Sequence, residues 1–181
     1  GDTVIVGWIR GKGIEAHPPK YNSQGQILNA GRVTTFNTHA LISENRCYLK
    51  PDSIPEDIAV LFGCALPTGA GIVINEINPA PGSSAVVFGL GGIGLISLMT
   101  LKAKGCAKVF AVDIEPDKLE LALEIGATHV INAATQNPVN EILSITQGQG
   151  LDYAIDAAGR AKTIEQAFAS IRKFGGLCVF A

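Results

Sequence analysis

The chain has 181 residues, of which 47% are hydrophobic and 17% are charged, and its formal net charge is −2. So large an apolar share supports a folded core, and the near-neutral charge excludes the basic surface that nucleic acids and anionic membranes require. We therefore expect neither a nucleic-acid nor a membrane partner. The four cysteines lie far apart without a C-x-x-C pair, which favours reduced thiols and a cytoplasmic location over a disulfide framework.

The first part of the chain is predicted to form short strands, one long loop and a helical segment. β-branched and apolar residues predict strands at 3–6, 34–42 and 46–49, with a loop between residues 11 and 31. Residues 53–77 have helical spacing, and Ser53 is placed to cap the helix. Residues 79–82, Pro-Ala-Pro-Gly, interrupt the predicted secondary structure, so we predict a domain boundary near residue 82.

After this break, strands and helices are predicted to alternate regularly. The strands are predicted at residues 84–88, 109–112, 129–131, 151–156 and 176–181. The helices are predicted at residues 92–104, 116–125, 138–146 and 163–173. Such alternation is typical of βαβ units and predicts a parallel sheet.

A glycine motif of the G-x-G-x-x-G form lies between the first of these strands and its helix. Gly89 permits a tight turn, Gly91 lets the backbone approach a pyrophosphate, and Gly94 lets the helix pack against the strand. The N–H groups at the helix start, from Gly92 onward, would bind the phosphate charge. The flanking strand and helix are the context that this motif requires for dinucleotide binding.

An acidic residue, Asp113, follows the second strand of this part, 24 positions after Gly89. Its carboxylate would accept hydrogen bonds from the adenosine ribose and repel a 2′-phosphate, which favours NAD over NADP. The alternative is a helix-capping aspartate in a Rossmann-like domain that binds another ligand.

From residue 34 onward the chain resembles the zinc-containing medium-chain alcohol dehydrogenases. The resemblance lies in residues 63–69 (GCALPTG), 87–94 (VFGLGGIG), 112–114 (VDI), 126–128 (GAT) and 156–159 (DAAG). It implies an α/β fold with a doubly wound, parallel Rossmann sheet, preceded by part of a GroES-like, β-rich catalytic domain. The implied domains are a partial catalytic domain at 1–52, linking helices at 53–82 and an NAD-binding domain at 83–181.

The resemblance also implies roles for individual residues. Cys64 would be a ligand of a catalytic zinc, although a lone cysteine on an apolar helix is ordinarily a small buried hydrophobe. Thr68 and Ile93 would contact the nicotinamide, and Lys118 would bind the ribose beside Asp113. The remaining residues implied to bind the cofactor lie at the end of the fourth strand of the sheet, and they are Ala158, Gly159 and Arg160.

Only one of the three catalytic zinc ligands of the family has a counterpart in this chain. The others, a Cys and a His, would lie upstream, so the chain is expected to be an inactive part of a longer enzyme. No cysteine precedes Cys47, so no structural zinc is expected. The intact enzyme would transfer a hydride between an alcohol or aldehyde and NAD as a homodimer or homotetramer.

Two alternatives remain open from the sequence. The first is a zinc-free quinone or enoyl reductase that prefers NADPH, against which Cys64 and Asp113 both argue. The second is a nucleotide-binding module without catalysis, because a fold does not fix a function. A short-chain dehydrogenase is disfavoured, because the chain contains no Tyr-x-x-x-Lys motif.

Overall fold

The computed structural model describes residues 1–29 and 31–181 and divides the chain into two compact units, Gly1–Cys64 and Ala65–Ala181. The division of the sequence at residues 52 and 82 remains a prediction of domain organisation. The α/β class, with a five-stranded parallel sheet after a β-rich segment, is confirmed.

The first unit contains two small antiparallel sheets. Strands β1 (Val4–Val6) and β4 (Cys47–Leu49) form one sheet, and β2 (Lys20–Ser23) and β3 (Gln26–Asn29) form the other. Helix α1 (Glu56–Ala59) and the 3₁₀ turns Glu44–Arg46 and Val60–Gly63 complete the unit.

The β2–β3 hairpin shows that the predicted loop from 11 to 31 is partly wrong. Gln24 and Gly25 both have positive φ, 49° and 81°, as a two-residue hairpin turn of type I′ requires. The side chain of Asn22 accepts a hydrogen bond from the Gly25 N–H at 3.0 Å. The turn was missed because Gln-Gly is a weaker hairpin signal than Asn-Gly or Asp-Gly.

The predicted strand at residues 34–42 is also wrong, and the predicted helical segment at 53–77 is present but is divided and has no cap at Ser53. Residues 34–42 contain no strand and bend at 36–39, where Phe36 is fully exposed, so a strand there would have no buried apolar face. The helical segment begins after Pro55 without a side-chain cap from Ser53, and it is interrupted at Cys64, whose φ and ψ of −152° and −62° are not helical. It resumes as α2 (Ala65–Gly71), followed by a π-helical segment, Ile72–Ile77.

An ion pair between a buried arginine and a partly exposed glutamate fixes the long loop of the first unit. Arg46 is 5% exposed, and its Nη2 lies 3.0 Å from Oε1 of Glu15. The Asn45 side chain donates to Oε2 of Glu15 at 3.0 Å, and Arg32 also pairs with this carboxylate. Hydrogen bonds from Asn45 and Arg46 lower the pKa of Glu15 to about 2. The loop is therefore held to the 3₁₀ turn by charge.

The second unit is a doubly wound sheet of five parallel strands in the order β7-β6-β5-β8-β9. The strands are β5 (Ser84–Phe88), β6 (Lys108–Asp113), β7 (His129–Asn132), β8 (Tyr153–Asp156) and β9 (Leu177–Phe180). The helices after α2 are α3 (Gly92–Ala103), α4 (Pro116–Glu124), α5 (Pro138–Ile145) and α6 (Ala161–Ser170). The strand order reverses direction between β5 and β8, which makes the carboxyl ends of these strands the expected ligand site.

Alternate residues of the central strands face two separate cores. On β5, Val87 packs with Leu98 and Leu101 of α3, whereas Val86 and Phe88 pack with Ile142 of α5 on the opposite face. Successive side chains of a strand point to opposite faces, so a parallel sheet covered by helices on both sides has apolar residues at nearly every position.

The predicted alternation of strands and helices in this unit is confirmed, with small shifts at the ends. The largest shift is at α6, which begins at Ala161 and ends at Ser170. Its start is set by Thr163, whose hydroxyl accepts from the Arg160 N–H at 3.3 Å and donates to the Arg160 carbonyl at 2.9 Å. It ends because Ile171 is extended and bridges to Leu151.

Among the described residues, no single helix has both the length and the hydrophobicity needed to cross a membrane. One bent pair of helical segments, Glu56–Gly63 and Ala65–Ile77, meets these criteria only when its two members are taken together.

Replacing Glu15 by Gln is expected to lower the thermal unfolding midpoint of the first unit at about pH 7, because the charge that pairs with Arg46 is lost. Since the pKa of Glu15 is about 2 in the fold against an ordinary 4.5, its stabilisation is complete above pH 4.5 and is lost as the pH falls toward 2. The difference between the two proteins should therefore shrink on acidification. Glu56→Gln, at an exposed carboxylate, is the control. If Glu15→Gln lowered the unfolding midpoint by the same amount at every pH, the prediction would be contradicted.

Candidate functional site

The turn between β5 and α3 is shaped by close backbone contacts. Gly89 has a φ of +86°, and its N–H donates to the Val112 carbonyl at 2.8 Å. A Cβ on Gly89 would lie 2.8 Å from the backbone nitrogen of Ala158, and a Cβ on Gly94 would overlap the Gly89 carbonyl oxygen. Both positions therefore require glycine, one for its conformation and both for space.

Gly91 and Gly92 differ from these two glycines, because a Cβ on either would meet open space. Gly91 is the N-cap residue of α3 and has an extended conformation. No side chain caps this end of the helix. The first N–H groups of the helix are thus left for a partner at the open surface, and such groups bind anions well.

Asp113 ends β6 with a largely buried carboxylate that is held by backbone N–H groups. Its Oδ2 accepts from the Leu90 N–H at 2.7 Å, which ties it directly to the glycine turn. Its Oδ1 accepts from the N–H groups of Ile114 and Glu115 at 2.8 and 3.1 Å. Lys118 lies at the outer edge, with its Nζ 3.9 Å from Oδ2, and an exposed pair at this distance contributes little to stability.

The opposite side of the site is the segment between β8 and α6. Gly159 has a φ of +65°, and its N–H donates to Oδ2 of Asp156 at 3.0 Å. Asp156 is 1% exposed, and its Oδ1 has no hydrogen-bond partner within the described part of the chain. Arg160 follows as the N-cap residue of α6.

These segments enclose a cleft of about 470 Å³ at the carboxyl ends of β5, β6 and β8. Of the predicted site residues, those that line it are Gly89, Gly91, Asp113, Lys118, Ala158 and Arg160. Arg160, Lys118 and Lys162 supply positive charge, and Asp113 and Glu115 supply negative charge. The cleft thus combines anion-binding N–H groups and cations with a fixed acceptor for hydroxyl groups.

Sequence reasoning missed several residues of the cleft wall, namely Phe88, Ala133, Lys162, Thr163 and Gln166. Lys162 and Thr163 could have been found, because they directly follow the Gly159-Arg160 pair at the start of a predicted helix. Ala133 lies just after β7, and nothing in its sequence context marks it.

The remaining predicted residues of this unit lie beside the cleft. Gly92 and Gly94 are in the first turn of α3, and Gly159 is in the β8–α6 segment. Thr68 on α2 and Ile93 on α3 are half-buried and are not among the described residues of the cleft wall. A backbone contact links their neighbourhoods, since a Cβ on Gly69 would lie 2.6 Å from the Ile93 carbonyl.

Cys64 is the exposed last residue of the first unit. A catalytic zinc takes three protein ligands, and no group of three His, Cys, Asp or Glu side chains among residues 1–29 and 31–181 could hold a metal ion. The residues described here therefore do not by themselves fit zinc. Cys106 and Cys178 are packed in the fold, and burial raises the pKa of the Cys178 thiol to about 11, which makes it unreactive.

The sheet order and the glycine turn define a Rossmann-type fold, and comparison with known proteins agrees. A family model described as zinc-binding dehydrogenase matches residues 92–181. A benzyl alcohol dehydrogenase from Acinetobacter calcoaceticus is 35% identical with a TM-score of 0.73, over 77% of this chain and 38% of that one. An alcohol dehydrogenase from Thermus sp. ATN1 is 32% identical with a TM-score of 0.68, over 75% of this chain and 39% of that one.

A zinc-dependent alcohol dehydrogenase from Streptococcus pneumonia is 30% identical with a TM-score of 0.70, over 78% of this chain and 41% of that one. The chain thus spans about two fifths of the length of the solved structures that it matches. The family-model match and these similar structures are consistent with a part of a zinc-containing medium-chain alcohol dehydrogenase, a class of oxidoreductases.

Replacing Gly94 by Ala is expected to destabilise the second unit by about 1–3 kcal/mol, because the added methyl group overlaps the Gly89 carbonyl. Gly92→Ala, two residues earlier on the same helix, is the control and should change the free energy of unfolding by less than about 1 kcal/mol. Denaturant unfolding measures both variants. Equal stability of the two would show that α3 does not depend on this close approach.

Proposed function

We propose that this chain forms the cofactor-binding part, and the end of the catalytic part, of an NAD-dependent alcohol dehydrogenase that acts on a small alcohol or aldehyde. The observation that carries the proposal is the hydrogen bond from the Leu90 N–H to Asp113, which puts a fixed carboxylate beside an open, uncapped helix start. The match of residues 92–181 to the zinc-binding dehydrogenase model supports the reaction class.

In this proposal the pyrophosphate of NAD binds the first N–H groups of α3. The open space beside Gly91 and Gly92 fits a phosphate at the backbone, whereas side chains there would occupy it. Arg160 lies on the cleft wall and supplies positive charge to the same phosphates. Ala158 lines the opposite wall with only a methyl group, and Gly159 lies beside it.

Asp113 is proposed to select NAD through the adenosine ribose. A carboxylate has about four acceptor positions, and three are used by backbone N–H groups, so it retains capacity for a ribose hydroxyl. A 2′-phosphate would bring like charge against a carboxylate whose side chain is 8% exposed. Lys118 would bind the ribose from the solvent side.

Thr68 and Ile93 are proposed to orient the nicotinamide ring, which accepts a hydride from the alcohol carbon when NAD is bound. Cys64 is proposed to be one ligand of a catalytic zinc, and no structural zinc is proposed. Assembly as a homodimer or homotetramer and a cytoplasmic location remain predictions from the sequence.

The first test is a titration of the 181-residue chain with NADH and with NADPH, followed by nicotinamide fluorescence. NADPH should bind at least about tenfold more weakly, which corresponds to about 1.4 kcal/mol. Asp113→Asn should reduce this preference, because it removes the charge that opposes the phosphate. Asp117→Asn is the control, because Asp117 lies in the first turn of α4 and outside the cleft wall, and this variant should keep the preference for NADH.

Equal binding of both nucleotides by the unmodified chain would contradict the role of Asp113 and favour a zinc-free, NADPH-dependent reductase. Binding of neither would contradict the cofactor site itself. Thermal unfolding of each variant, measured in parallel, separates loss of binding from loss of the fold.

A second test uses Gly91→Ala, whose methyl group meets no protein atom but would occupy the proposed phosphate position. Thermal stability should be unchanged, while NADH and ADP-ribose should both bind about tenfold or more weakly, because they share the pyrophosphate. Isothermal calorimetry measures both ligands. Unchanged affinity for ADP-ribose would place the phosphates elsewhere.

A further inference from the structure

A buried hydroxyl group joins helices α2 and α3. Ser97 on α3 is completely buried, and its Oγ lies 2.9 Å from the Ile93 carbonyl and 3.0 Å from the Gly69 carbonyl. The bond to Ile93 stays within α3 and is the usual one for a helical serine. The bond to Gly69 crosses to α2. A serine hydroxyl has one hydrogen, so the two carbonyls share it.

The two helices are in backbone contact at this point. A Cβ on Gly69 would lie 2.6 Å from the Ile93 carbonyl oxygen and 2.9 Å from Cβ of Ile96, so glycine is required. The serine hydroxyl therefore lies between the backbone of Ile93 and that of the residue after Thr68. Any rotation of α2 about its axis would break the bond that crosses between the helices.

The helix that carries Thr68 changes its winding shortly afterwards. The segment Ile72–Ile77 is π-helical, and Asn78 ends it with a φ of +41°. Wider π turns inside helices recur at functional sites, and they rotate the residues on one side of the turn relative to those on the other. A hydrogen bond from α3 just before this change fixes the rotation of the part of α2 that contains Thr68.

We propose that Ser97 is a positioning residue that holds Thr68 and Ile93 in register and so orders the nicotinamide end of the bound cofactor. This inference rests on the proposed function, in which those two residues contact the nicotinamide. Ser97 itself is too deeply buried to touch the cofactor, so its effect is confined to the geometry of the two helices.

The test compares Ser97→Ala with Thr100→Val, one helical turn further along α3. The Thr100 hydroxyl donates to the Ile96 carbonyl at 2.7 Å. This bond lies within α3, so its loss leaves the bond from Ser97 to α2 intact. Dissociation constants are measured for NADH and for ADP-ribose, which has the same pyrophosphate and adenosine but no nicotinamide. Thermal unfolding of both variants is measured alongside.

Ser97→Ala is expected to weaken NADH about fivefold or more and ADP-ribose by less than about twofold, whereas Thr100→Val should change each by less than about twofold. A blue or red shift of the bound NADH emission in Ser97→Ala alone would report altered surroundings of the nicotinamide. Unchanged thermal stability is not required, because the two ligands serve as each other's reference.

Equal weakening of both ligands by Ser97→Ala would show a merely structural role and overturn the proposal, and so would unchanged NADH binding. If the unmodified chain binds ADP-ribose and NADH equally, its nicotinamide makes no contribution and the proposal also fails, while the dinucleotide site stands. Binding of neither ligand by the unmodified chain would overturn the proposed function itself.

Discussion

The close approach of α3 to the carboxyl end of β5 determines the geometry of the cleft. The first turn of α3 packs on the Gly89 carbonyl with no space for a Cβ on Gly94, and so the start of the helix is fixed against the sheet. The turn between β5 and α3 directs the Leu90 N–H at Asp113 on the neighbouring strand. Two adjacent strands and one helix are thereby joined at a single point, and the helix start remains open.

This junction separates two kinds of chemistry along the cleft. The open N–H groups of α3 and the side chain of Arg160 favour an anion, whereas the Asp113 carboxylate rejects one and accepts hydroxyl groups. Without a ligand, holding the Asp113 carboxylate in place costs little free energy, because it already accepts hydrogen bonds from three backbone N–H groups. The site is therefore preorganised for a molecule that carries phosphate and hydroxyl groups a short distance apart.

The sheet was predictable from the sequence because its strands are buried on both faces and are separated by helices with clear starts. Pro116 and Pro138 each open a helix, and Gly126 follows the end of α4 in a positive-φ conformation. The first unit was less predictable, because its elements are short and depend on distant partners. The Glu15–Arg46 pair joins residues 31 positions apart, and no local pattern indicates it.

The glycines show why the site was only partly predictable. One letter in the sequence stands for three physical requirements: a positive φ at Gly89, contact with a carbonyl at Gly94, and open space at Gly91. The motif predicts all three together, but a lone Gly69 or a lone Ser97 within an apolar helix has no such motif. Their importance follows from the distance between two helices, and that distance becomes visible only when the chain is folded.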